Sequence, residues 1–457
     1  MTIMNSNTDT FLSDYEAVYP GLPGSGVKWL DSIRRCGMEE FRAQGLPTGR
    51  TEDWKYTRLR SLEDTIFRPA TLEDGEVDVN QLPTLFSGDS MVPRIVFVNG
   101  CLKTEFSCMD NLPDGVTVDS LRGAMDRDPE WFASHLGQVG CIDGNPLVAL
   151  NTAMMNSGAV VRVHKDTAVE KPIEMIFVAG LTNGPVAYYP RNLIVMDEGA
   201  DATFIQHHTG LGGGPYFVNS VTEIEVSGNA RLRHYSVQNE NVEATHLASI
   251  HVRVGCDATY EAFCMSTGGR LSRNESFVRL EGSGGHCGLN GAYMMRGKEH
   301  CDNTTLIEHM VPYTSCREVF KGVLDDESRS VFQGKITVHK DAQKTDGRML
   351  SKTLLLSDRA EIDTKPELEI YADDVKCAHG ATTGQLNTEA LFYLRSRGIP
   401  DALARSLLVE SFIAEAIEEI SHLDVRAAMT GLVASQSSNR RCLGIEISEK
   451  SEGYKFE

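Results

Sequence analysis

The 457-residue chain holds 11 cysteines but no Cys-x-x-Cys pair. They are scattered at 36, 101, 108, 141, 256, 264, 287, 301, 316, 377 and 442, an odd number at irregular spacing. That pattern excludes a zinc ribbon and a disulfide framework. Cations are also short: 44 Lys and Arg against 64 Asp and Glu leave a net charge of −20. Such a surface repels phosphate backbones and anionic lipid, so neither nucleic acid nor a membrane is an expected partner. No apolar run approaches the ~18 residues of a spanning helix. The first basic residue is Lys28 and no early apolar stretch resembles a signal h-region, which predicts reduced thiols in the cytoplasm. No Gly-x-x-x-x-Gly-Lys-Ser/Thr loop occurs, and neither Gly210–Gly214 nor Gly282–Gly285 matches Gly-x-Gly-x-x-Gly at a strand-to-helix junction. Gly-x-Ser-x-Gly and His-Glu-x-x-His are absent too, which argues against nucleotide binding by those loops, a serine hydrolase and a zincin.

What the chain does have is β patterning between two helical ends. The first 24 residues read as polar and broken by Gly and Pro, followed by a short amphipathic helix over 27–44. Trp54 and Tyr56 then read as pins holding a peripheral helix to the body. From Ile95 the runs are short and β-branched, such as Ile95–Val98 and Val160–Val163. A strand-then-glycine phrase recurs at Gly199, Gly228, Gly255 and Gly282, at nearly even intervals. A later pair, starting at Leu324 and Leu356 with similar separation, looks like its continuation. A helix-free repeat of this length predicts stacked coils, a solenoid whose open ends need caps. The helical segments at both termini are the expected caps. A β-sandwich is the alternative, but it gives no reason for the period. After Leu386, Asn387 or Thr388 caps a helix that Gly398 stops, Pro400 begins a second, and Asp424 opens a third. The stretch from Ser438 reads as loose. The expected layout is a helical and irregular unit over 1–94, the β core over 95–386 and a helical unit over 387–457.

The chemistry centres on Cys377-Ala-His379. In an extended strand the period of two puts Val375, Cys377 and His379 on one face, setting a soft sulfur donor beside a nitrogen donor. Such a pair suits iron, zinc or copper, yet it cannot complete a metal site, and Gly380–Gly384 adds no donor. A buried Cys and a hydrogen-bonded His at a strand end is the other reading of the same residues. His207-His208, His286-Cys287, His300-Cys301 and His309 read as structural, because strand neighbours point to opposite faces.

With Cys377-Ala-His379-Gly-Ala-Thr go Thr304–His309, Lys321–Leu324, Phe332–Val338, Ala342–Thr345, Leu354–Asp358, Lys365–Cys377 and Phe392–Gly398. This text resembles the SufD members of the SufB/SufD scaffold family of the Suf iron–sulfur cluster assembly system. The match is dense from about 300 to 420 and rests near the start on Glu52–Thr57. The resemblance implies a mainly β, right-handed parallel β-helix with N- and C-terminal helical segments. It implies a non-catalytic scaffold that pairs with SufB and carries the SufC ATPase, with self-pairing open to the isolated chain. His379 then lies at the subunit interface with Cys377 nearby, both available to a transient cluster or iron shared with SufB. The helices after Leu391, with Phe392, Tyr393, Arg397, Leu403 and Leu407, are where SufC would bind. SufB itself fits less well, because it tends to carry Glu where Gly380 stands here. A polysaccharide lyase or hydrolase on a β-helix is a rival, weakened by the 7% aromatic content. A second rival is an autonomous metalloprotein with a permanent centre.

Overall fold

The computed structural model describes residues 6–71, 75–86 and 92–438. Sixteen strands carry the body: β1 (Ala159–Val163), β2 (Ile173–Ala179), β3 (Arg191–Met196), β4 (Asp201–Gly210), β5 (Tyr216–Val226), β6 (Arg231–Glu240), β7 (Thr245–Val254), β8 (Thr259–Gly268), β9 (Leu271–Leu280), β10 (His286–Met295), β11 (His300–His309), β12 (Ser315–Leu324), β13 (Arg329–Val338), β14 (Asp346–Leu355), β15 (Glu361–Ile370) and β16 (Lys376–Gly384). Odd-numbered strands pair in parallel to form one sheet and even-numbered strands form the other. The chain alternates between them, giving a parallel β-solenoid of about eight turns.

Period-two alternation turns every second side chain into the lumen between the sheets. Because register is kept from coil to coil, like stacks on like: Val161, Ile194, Ile224, Val252, Val278, Ile307, Ile336 and Leu368 form one continuous ladder. All but the terminal Leu368 are buried, each contributing about 2 kcal/mol. The coils are not of equal length. Thr245 stands opposite Leu271 in a short one and Val160 opposite Leu193 in a long one, the difference being taken up in the corners.

The recurring glycines stand at one corner, after β3, β5, β7 and β9. They allow close stacking: a Cβ on Gly282 would sit 1.9 Å from the Cys256 backbone nitrogen. Leu324 and Leu356 belong instead to the opposite corner, where the Leu356 N–H donates to the Leu324 carbonyl at 2.8 Å. That pair is therefore not a continuation of the glycine phrase.

At the N-terminal side, α1 (Ser6–Val18) and α2 (Lys28–Gln44) precede α3 (Arg60–Asp64), α4 (Leu121–Arg127), α5 (Pro129–His135) and the wholly buried α6 (Pro146–Met154). The polar start is thus helical from Ser6, held by Phe11 edge-on to Phe41 and Phe217. Gly37 lets α2 close on α6, since a Cβ there would lie 2.7 Å from the Ala149 carbonyl oxygen. Trp54 sits in a short 3-10 turn rather than a helix, buried with the Arg273 guanidinium 3.9 Å from its ring centre. At this end Val116–Ser120 pairs antiparallel with β1, while Arg94–Val98 runs parallel to β2 and turns back antiparallel through Cys101–Leu102.

The other end is different. After β16 come α7 (Thr388–Ser396), α8 (Asp401–Ile417) and α9 (Leu423–Ser438). These helices do not cap the last coil; α8 and α9 fold back along the outside of the even sheet. Val409, Ile413, Ile417 and Met429 pack there on Tyr235, Phe263, Met265 and Val323. Lys321 pairs with Glu415, and Arg317 with Glu419 at 2.6 Å. The apolar stripe of α8 finds its complement on the side wall, which leaves the coil end uncovered. The loose stretch expected after Ser438, with Cys442, lies outside the described residues. Among the described residues no helix is long and apolar enough to cross a membrane.

Candidate functional site

The two terminal strands are the setting. β15 pairs only with β13 and β16 only with β14, so each presents a free backbone edge among the described residues. Such an edge is a ready template for another chain. On β16, Cys377 stands opposite Gly347 and His379 opposite Met349, whose neighbours line the lumen. The two donors therefore share a face, as the alternation required.

Below Cys377 the lumen column reads Gly347, Cys316, Cys287, Tyr260, Leu232 and Ala202, passing from aliphatic through aromatic to sulfur toward the open end. Gly347 leaves room for the sulfurs on either side: a Cβ there would lie 3.5 Å from Cys316 Sγ and 3.6 Å from Cys377 Sγ. Cys316 and Cys287 are buried, and desolvation holds their thiols well above the ordinary range. His309 Nε2 lies 3.3 Å from Cys316 Sγ while its Nδ1 meets Thr314 Oγ1 at 2.7 Å, and burial lowers this imidazole to about 4. These inner groups are neutral and closed to solvent.

Cys377 and His379 differ from them. Cys377 is half-buried, with partial desolvation raising its pKa. His379 is exposed at the coil end. Among the described residues no three His, Cys, Asp or Glu side chains gather closely enough to hold a metal ion. The arrangement can offer one thiol and one imidazole and needs donors from outside the chain to finish a coordination shell.

The remaining histidines are consumed within the fold. His207 Nε2 faces Glu174 at 3.3 Å, His208 stacks on Phe177 at 5.0 Å, and His246 Nδ1 meets Glu240 at 2.9 Å. His286 pairs with Ser315 at 2.9 Å and His300 with Thr57 at 3.2 Å.

The other candidate residues lie on the α7–α8 hairpin. Asn387 Oδ1 accepts from the N–H groups of Glu389 and Ala390, both at 2.9 Å, fixing the start of α7. Gly398, at φ +85°, turns the chain toward α8. Phe392 and Tyr393 are 73% and 57% exposed, and Leu403 and Leu407 extend the apolar surface along α8. The Arg397 guanidinium lies 5.2 Å from the centre of the Tyr393 ring. Sequence reasoning missed Glu318 and the His309–Cys316 contact. No sequence signal marks them, because the contact forms across a corner between two sheets.

The fold and the site define a β-solenoid protein whose final coil is unsealed and carries a thiol and an imidazole on one face of its last strand. Comparison with known proteins makes the class specific. Residues 178–412 match the model of the SUF system FeS cluster assembly, SufBD core domain, and residues 5–175 match that of the SufBD protein N-terminal region. The chain is 32% identical over 387 residues to the iron–sulfur cluster assembly protein SufD of Escherichia coli, covering 84% of this chain and 87% of that protein. An iron–sulfur cluster assembly SufBD family protein of Synechocystis is 32% identical over 386 residues, 82% of this chain and 84% of the relative. The chloroplastic protein ABCI7 of Arabidopsis thaliana is 28% identical over 409 residues, 87% and 84% of the two chains. The chain belongs to the SufBD family, and its role is in iron–sulfur cluster assembly. Membership sets aside the polysaccharide-cleaving reading.

Proposed function

We propose that the chain is a non-catalytic, cytoplasmic scaffold subunit that pairs at its open coil end with a SufB-like paralogue and carries a SufC-like ATPase on the α7–α8 hairpin. At the shared seam His379, with Cys377 beside it, binds iron or a nascent iron–sulfur cluster whose other ligands come from the partner. The carrying observation is the exposed His379 on an unpaired terminal strand, in register with a half-buried thiol. An incomplete shell favours passing the cluster on. The raised Cys377 thiol stays protonated near neutral pH and gives up its proton only as a metal takes the sulfur. Nucleotide hydrolysis falls to the partner, and the exposed Phe392, Tyr393, Leu403 and Leu407 supply an apolar surface for it. Without the paralogue, the same free edges make self-pairing the expected state.

The test is reconstitution with SufB-like and SufC-like partners and an iron–sulfur client enzyme. His379→Ala should lower client maturation about tenfold or more, while the folding of the isolated chain is unchanged because the side chain is exposed. Maturation equal to wild type would remove His379 from the site. The autonomous-metalloprotein alternative requires stoichiometric iron and a visible absorption band in the chain purified alone; this proposal expects neither until partners are added.

A further inference from the structure

One corner of the solenoid, between each odd strand and the even strand after it, uses a left-handed residue in every coil from the first to the seventh. These are Asp166, Gly199, Asn229, Asp257, Gly284, Tyr313 and Lys344. Backbone hydrogen bonds link successive corners, as from the Asn229 N–H to the Cys256 carbonyl and from the Tyr313 N–H to the Gln343 carbonyl at 2.9 Å. The first five are Gly, Asn or Asp, which tolerate this conformation. The last two are not.

Lys344 has a reason within the chain: its ammonium pairs with Asp374, tying its corner to the final one. Tyr313 has no such tie. At φ +61° it is a bulky residue in a region such residues rarely enter, and its side chain is 64% exposed. Among the described residues its phenol makes no hydrogen bond and its ring no aromatic or cationic contact. The Lys344 ammonium lies near the phenol, but its partner is Asp374. Strain that no side-chain contact offsets collects where a surface is used. The same corner carries Ile370 and Tyr371 in the last coil, 41% and 63% exposed. Tyr313 stands two coils below, about 10 Å along the axis.

We infer that Tyr313, Ile370 and Tyr371 form part of the docking surface for the paralogous solenoid subunit, with the left-handed Tyr313 retained for that contact. This rests on the pairing proposed above. Residues 371–375 join β15 to β16, so a partner covering both free edges lies over this corner. Exposed tyrosines are also the side chains from which interface hot spots are commonly built.

The test measures the affinity of the full-length chain for the SufB-like paralogue, its self-association and its unfolding midpoint. Tyr313→Asn should raise the midpoint of the isolated chain by about 1–2 °C, because Asn fits the left-handed corner, and weaken association about tenfold. Tyr371→Ser should weaken association to a similar degree without raising the midpoint. A purely structural role for Tyr313 would lower both readouts together. A wild-type complex that tolerates both substitutions within twofold overturns the footprint and leaves the pairing intact. Substitutions that disrupt only self-association reassign the corner to a second copy of this chain. No complex with the wild-type chain removes the pairing and the footprint together.

Discussion

Glu318 points into the lumen in the column of His379, two coils below it, with Met349 between them. Its Oε1 accepts a 2.6 Å hydrogen bond from Thr305, its Oε2 has no partner among the described residues, and burial pushes the carboxyl up to about 8. In the unfolded chain the same group titrates near 4.5. Between those values the folded state holds a proton that the unfolded state has released, so stability falls as pH rises through that window. Glu318→Gln mimics the protonated form. It should match wild type near pH 5 and unfold at a higher temperature than wild type at pH 8.5, read from melting curves at the two pH values. At this scale Cys377 and His379 were legible, because alternation alone puts them on one face. Glu318, Cys316 and His309 were not: their meetings, Glu318 with Thr305 and His309 with Cys316, depend on how two strands align across a corner, which no local pattern encodes.

Helix α7 follows the donor strand after the short link 385–387 and depends on one cap. Asn387 satisfies two N–H groups that would otherwise face water alone. Asn387→Ala should cost α7 about 1 kcal/mol, seen as faster amide exchange over 388–396 and weaker binding of the ATPase proposed to dock there, with the solenoid melting unchanged. The cap, the Gly398 stop and the glycine spacing could be read from sequence because each is a local requirement. The position of the C-terminal helices could not. Their apolar stripe is compatible with sealing the coil end or lying along the wall, and only the apolar face of the even sheet, with Glu415 and Glu419 meeting Lys321 and Arg317, decides for the wall. That outcome, opposite to the expected cap, exposes His379.

Across the whole molecule, buried titratable groups set opposing pH limits. His234, His251, His300 and His309 are lowered by burial to about 4 and His208 to about 3, so the fold holds them neutral while the unfolded chain protonates them near 6.5. Their contribution is complete above 6.5 and is lost as pH falls toward 4. Glu240, whose desolvation is outweighed by the His246 beside it so that it lies at about 2, extends that loss further into acid. Glu318, and Glu299 raised to about 7 by burial, act in the opposite direction from about 4.5 up to those raised values, and outweigh the histidines only once these have lost their unfolded-state protons. Maximum stability is expected near pH 6.5, with the steeper fall on the acid side; a midpoint that rises steadily from pH 5 to 8 would contradict this balance. The uneven coil lengths carry a consequence for how such a protein can change. A residue added at a corner only enlarges a loop, whereas one added inside a strand reverses the facing of every side chain beyond it in that strand, bringing charge inward and aliphatics to water. Length variation among related chains should accordingly collect at the edges of the stack, where growth leaves the interior undisturbed.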